Sequence, residues 1–146
     1  MIKISLGSDH AGFELKEAVK DNLQNQGYEV IDFGTTSTDP VDYPDFIRPA
    51  AECVAAGDAQ LGVVFGGSGN GEAMAANKVK GIRCALCWNV DSAKLAKKHN
   101  NANMLAIGGR MVAMEEGLNI VTAWLNAEFE GGRHVARIEK IEPPRK

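Results

Sequence analysis

The stretch LGVVFGGSGNGEAMAANK (Leu61–Lys78) decides the fold. Its first residues are apolar with no polar face, the pattern of a strand buried on both sides. They run into GGSGNG (Gly66–Gly71), where small residues allow turns that no strand or helix interior favours. From Glu72 the spacing becomes helical, and the helix is read over Glu72–Lys80. Strand, glycine turn and helix in that order make half of a parallel βα unit. Outward from this stretch the rhythm repeats. IKISLGS precedes a helix over Gly12–Gln26 and YEVIDFG one over Pro44–Ala56; IRCALCW precedes Asp91–Asn100, and NMLAIGG precedes Ala113–Asn126. Strands apolar on both faces, alternating with helices, predict a five-stranded parallel sheet covered on two sides, a Rossmann-like single domain over residues 1–146. A last helical segment, at about 131–142, is expected to stop at Pro143-Pro144.

Bulk properties narrow the function. The net charge of -3 and pI near 5.6 argue against nucleic acid, whose phosphate backbone needs a basic face. No apolar run approaches the ~20 residues that span a bilayer, so no membrane partner is expected. The opening MIKISLGSDH lacks a signal-peptide pattern, and a cytoplasmic location is expected. The three cysteines, Cys53, Cys84 and Cys87, suit a reducing compartment. Cys84 and Cys87 form a C-x-x-C inside an apolar strand, whose period sends them to opposite faces, and they read as buried structural thiols.

Ligands of an open α/β sheet bind beyond the carboxyl ends of the strands. The residues read there are Asp9 and His10 after strand one, Asp42-Tyr43 after strand two, Gly66 to Glu72 after strand three, Asn89 and later His99-Asn100 after strand four and Arg110 after strand five. The GGSGNG turn offers converging backbone N–H groups at a helix start, an anion site. It lacks the Lys of a P-loop, and its glycines are not spaced or placed as in a dinucleotide fingerprint. Glu72 argues against a resident phosphate, since two like charges at ~4 Å repel by ~4 kcal/mol at an effective dielectric near 20. An oxygen that becomes negative only in the transition state fits better: the loop would be an oxyanion hole and Glu72 the base that takes a carbon-bound proton. An acid in a first turn also simply complements the helix dipole, and position alone favours that role. A dianion would go instead to cationic groups: Arg133 and Arg137, at i and i+4 of the last helix, with Arg110 and His10. Alternatively Arg133 and Arg137 form a solvated face pairing with Glu130 and Glu139. His134 reads as a surface residue, and His99 as a helix-closing one unless it joins the site.

GSDHAGFELK, VDYPDF, GGSGNGEAMAANKVKGIRCAL, KHNNANMLAIGGR and RHVARI, in this order along nearly the whole chain, resemble the ribose-5-phosphate isomerase B family, with its galactose- and allose-phosphate isomerase relatives. The resemblance implies a three-layer α/β/α sandwich and a homodimer with shared active sites, the pairing of dimers into tetramers being open. It implies aldose–ketose isomerisation of a phosphorylated sugar through an enediolate, without metal or cofactor. On this resemblance Asp9 binds sugar hydroxyls, His10 contacts the phosphate or assists ring opening, and Tyr43 lines the pocket. Gly67, Gly69 and Gly71 hold the enediolate oxygen with Ser68 and Asn70 beside them. His99 and Asn100 serve ring opening and hydroxyl binding, and Arg110, Arg133 and Arg137 clamp the phosphate. One large branch of the family carries a base cysteine where this chain has Gly66; a second branch carries a glutamate after the loop, and Glu72 matches it. The implied substrate is D-ribose 5-phosphate, the product D-ribulose 5-phosphate. A tetrulose 4-phosphate, allose 6-phosphate or galactose 6-phosphate remains as an alternative, as does a noncatalytic sugar-phosphate or nucleotide-binding module.

Overall fold

The computed structural model describes residues 1–143. Pro144, expected to help stop the last helix, lies outside the described residues. In chain order the elements are β1 (Lys3–Ser8), α1 (Phe13–Asn25), β2 (Glu29–Asp32), α2 (Pro44–Ala55), β3 (Leu61–Gly66) and α3 (Asn70–Asn77). They continue with β4 (Cys84–Leu86), α4 (Val90–Asn100), β5 (Met104–Gly108), α5 (Met114–Asn126) and α6 (Arg133–Glu139). Every strand pairing is parallel, and the five strands lie in the order β2-β1-β3-β5-β4.

The two-sided apolar reading of the strands holds. Along β1, β3 and β5, Ile4, Leu6, Val63, Phe65, Leu105 and Ile107 point to the layer of α1, α4 and α5. Their alternates Val64, Met104 and Ala106 point to α2 and α3, so the sheet is the middle of three layers. Trp124 is fully buried in the first layer and donates its indole N–H to the Ala102 carbonyl. Cys87 joins one core and Cys84 the other, the opposite-face placement that the strand period predicts. Burial raises both thiols, Cys87 to about 11, so neither is a thiolate at neutral pH.

Several boundaries differ from expectation. Helix α3 starts at Asn70, two residues early, because Gly69 adopts φ 86 and turns the chain directly into the helix. Strand β4 keeps only Cys84–Leu86 of the seven-residue apolar run. Helix α6 ends at Glu139, short of the prolines that were expected to stop it.

The topology places the reacting end. From β1 the chain leaves toward the β2 edge, and from β3 it leaves toward the β4 edge. The crevice between their carboxyl ends is therefore a switch point, where open α/β sheets bind ligands. Asp9 and the glycine loop emerge there side by side.

Candidate active site

Gly66 ends β3, and a Cβ built on it would overlap the Glu72 carboxylate. The side chain that Gly66 lacks is thus the space that Glu72 fills from the first turn of α3. Glu72 is buried there, 3% exposed. Burial raises its carboxyl above the ordinary value of 4.5, and the neighbouring Asp9 carboxylate adds to the rise. The elevation exists before any ligand excludes water. Position alone favoured a dipole-complementing surface acid; a buried carboxyl with a raised pKa is not that.

Around this carboxyl the backbone is open-handed. Gly69 takes a left-handed conformation that swings the loop back over the end of β5. Among the described residues the N–H groups of Gly67, Ser68 and Gly69 donate to no other group, and that of Gly71 is among the unpaired donors of the first turn of α3. The Ser68 hydroxyl accepts from the Asn70 N–H at 3.2 Å, leaving its own proton available. The β3–β5 ladder runs on past the strands: Gly109 N–H donates to the Gly66 carbonyl at 2.7 Å and Arg110 N–H to the Gly67 carbonyl at 3.0 Å. This fastens Arg110 beside the loop, with its side chain lying along Gly67.

On the β1 side, Asp9 is buried and accepts from the Gly12 N–H at 3.0 Å. The preceding Ser8 hydroxyl is buried with no hydrogen-bond partner among the described residues. His10 accepts the Val41 N–H on Nδ1 at 3.1 Å, which in a neutral ring puts the proton on Nε2 and turns a donor outward. Tyr43 packs on Gly71, where any Cβ would strike its ring. Asp9, His10, Tyr43 and Asp45 contribute to a cleft of about 450 Å³ beside the loop. Its acids suit hydroxyl groups rather than a phosphate.

The second half of the expected site is elsewhere. His99 and Asn100 close α4, which starts at the carboxyl rim and runs back beneath it for about 16 Å. They therefore lie at the amino end of the sheet, which corrects their reading among the rim residues after strand four; the shared active sites that the resemblance implies take some residues from a partner subunit. Arg133 and Arg137, exposed on α6, sit at that same end, since α6 packs on α4 and Glu130 N–H donates to the Lys98 carbonyl. Neither arginine makes an ion pair among the described residues; Glu130 faces two histidines instead. His134, expected on the surface, is buried and stacks on His99 with ring centroids 4.5 Å apart. A helix seven residues long with one buried position leaves no periodic signal to read.

Two exposed apolar side chains neighbour the loop: Trp88, whose strand-end position makes it a minor candidate for the pocket, and Met111, which the sequence does not single out. Trp88 and Met111 are 63% and 70% exposed and, with Leu86 and Val112, wall a hollow of about 190 Å³ against Ser68 and Asn70. Single apolar residues at strand ends carry little sequence signal, yet together they form a water-exposed apolar patch at the mouth of the loop.

The chain is similar to known proteins over nearly its full length. The Ribose/Galactose Isomerase family model matches residues 4–141. Ribose-5-phosphate isomerase B of Mycobacterium leprae is 48% identical over 140 residues, covering 94% of this chain and 86% of that protein. The solved structure of ribose-5-phosphate isomerase B from Clostridium thermocellum superposes with a TM-score of 0.95 at 51% identity, covering 96% of this chain and 95% of that one. That of Mycoplasma genitalium, solved with bound ribulose 5-phosphate, gives a TM-score of 0.92 at 42% identity, covering 96% and 93%. Matched by the family model over residues 4–141 and by relatives and solved structures over nearly its full length, the chain belongs to the ribose/galactose isomerase family.

Proposed function

We propose that the protein is a phosphosugar aldose–ketose isomerase, acting first on D-ribose 5-phosphate to give D-ribulose 5-phosphate, in the cytoplasm as a step of pentose phosphate metabolism. The observation that carries this reading is the buried Glu72 carboxyl, housed in the space above Gly66 beside a loop of unsatisfied N–H donors. Glu72 takes the C2 proton of the open-chain aldose. The electron pair moves into the C1–C2 bond and the carbonyl pair onto O1, where the free N–H groups of Gly67, Ser68, Gly69 and Gly71 meet the new charge. Glu72 returns its proton to C1, and the Ser68 hydroxyl carries a proton between O1 and O2. A base with a raised pKa holds the proton readily between the two carbons.

The remaining roles need a second chain. Half of the site lies at the rim (Asp9, His10, Tyr43, the loop, Arg110) and half at the far end of the sheet (His99, Asn100, Arg133, Arg137). A two-fold homodimer that sets the far end of one protomer over the rim of its partner completes two identical sites. The patch of Trp88 and Met111 beside the loop is the apolar surface such an interface would cover. In that assembly His99 of one protomer opens the sugar ring, Asn100 holds hydroxyl groups, and Arg133 and Arg137 from α6 clamp the phosphate together with Arg110.

Assaying four- to six-carbon sugar phosphates in heavy water tests the reading. Ribose 5-phosphate is expected to interconvert fastest, with solvent deuterium entering the product. Faster turnover of a six-carbon or four-carbon phosphate would move the substrate, and no interconversion of any would sink the enzyme reading.

A further inference from the structure

His99 in the last turn of α4, Glu130 in the loop after α5 and His134 in α6 bring three donor atoms within 4.8 Å of one another. His99 Nε2 lies 3.7 Å and His134 Nε2 3.5 Å from Glu130 Oε1. Both are longer than the ~2.7–2.9 Å of a charge-assisted hydrogen bond. His134 is buried, only 6% exposed, and its Nε2 has no hydrogen-bond partner among the described residues. A buried ring nitrogen left unpaired costs stability unless something meets it. Ligands about 2.0–2.2 Å from a tetrahedral zinc ion stand roughly 3.4 Å apart, close to both separations. The backbone bond from Glu130 N–H to the Lys98 carbonyl, 3.0 Å, ties the loop to the turn that carries His99.

We propose that His99, Glu130 and His134 form a binding site for a divalent zinc-type ion, with the fourth position open to water, and that the bound ion inhibits the enzyme by occupying His99. Two imidazoles and one carboxylate suit zinc rather than magnesium or calcium, which prefer all-oxygen shells. The rings lie 15° from parallel, so a shared ion requires a turn of His99, which at 38% side-chain exposure has room to make it. The ion has no part in the isomerisation. Binding rests on this geometry alone, whereas inhibition rests on the ring-opening role proposed above for His99.

The test is calorimetric titration of chelator-treated protein with zinc chloride, repeated with cobalt(II) and visible absorption. The wild-type chain is expected to take one ion, with cobalt bands of tetrahedral intensity. Glu130→Gln, on an exposed loop, and His134→Gln are each expected to weaken binding at least ~10-fold, circular dichroism confirming that both fold. No uptake by the wild type, or equal affinity in both folded variants, would overturn the site. In a separate arm zinc is expected to slow isomerisation of ribose 5-phosphate, reversibly with chelator, and Glu130→Gln to need at least ~10-fold more zinc for the same effect. Zinc bound without slowed turnover would overturn the inhibition. Because calorimetry needs no turnover, failure of the ion site and failure of the isomerase reading are distinguishable.

Discussion

At the residue scale the account turns on Gly66 and Glu72. The carboxyl is raised above 4.5 by burial first and by Asp9 second, and it must be ionised to accept a proton. The acid limb of kcat/KM is therefore expected above the ordinary carboxylate range, and a pH–rate profile with its limb at or below 4.5 would contradict this. The same shift acts on stability in a definite direction. A carboxyl whose folded pKa is raised contributes stability that is full below about 4.5 and lost as pH rises through the folded value. Glu72→Gln, which removes the buried charge, is expected to melt higher than the wild type at neutral pH while losing about 10²–10⁴ in kcat. Gly66→Ala should cost activity without touching the base chemically, because its methyl group would displace the carboxylate. A fall in kcat of at least ~10-fold is expected, since small misplacements of a reacting group are expensive, and wild-type kcat would contradict the packing.

At the element scale, the junction of β3 and α3 does the positioning. Gly69 holds φ 86, and a Cβ there would lie 3.1 Å from the Gly108 backbone nitrogen. Gly69→Ala is expected to cost roughly 1–2 kcal/mol in thermal or denaturant unfolding, from the left-handed conformation alone, and to lower kcat as well. The capping box of α4 offers a contrast: the Asn89 side chain accepts from Ser92 N–H at 2.8 Å and is committed to starting that helix. Asn89→Ala should cost about 1 kcal/mol of stability and leave kcat unchanged. These elements were largely legible beforehand, because continuous apolar runs mark buried strands and glycine marks the turns between. The order of the last two strands was not, since pairing of β5 between β3 and β4 is decided by long-range packing. Nor was the burial of His134, which depends on what α4 and the preceding loop present to it.

At the scale of the whole molecule, the strand ends placed Asp9, the glycine loop and Arg110 at one rim, whereas the reading of His99 and Asn100 at that rim is one the sequence itself argues against. KHNNAN directly precedes the strand MLAIG, and residues just before a parallel strand stand at its amino end. In the proposed homodimer, the placement of His99 and Asn100 at the far end of the sheet makes the partner subunit part of the chemistry. Glu72 of one protomer is assigned to work with His99 of its partner, so the most direct measurement mixes Glu72→Gln protein with His99→Gln protein under conditions that exchange subunits. Each variant alone is expected to be nearly inactive. After exchange, half of the dimers carry one intact site, and activity should return to about one quarter of the wild-type value. No recovery despite demonstrated heterodimers, or full activity in either variant alone, would contradict the account.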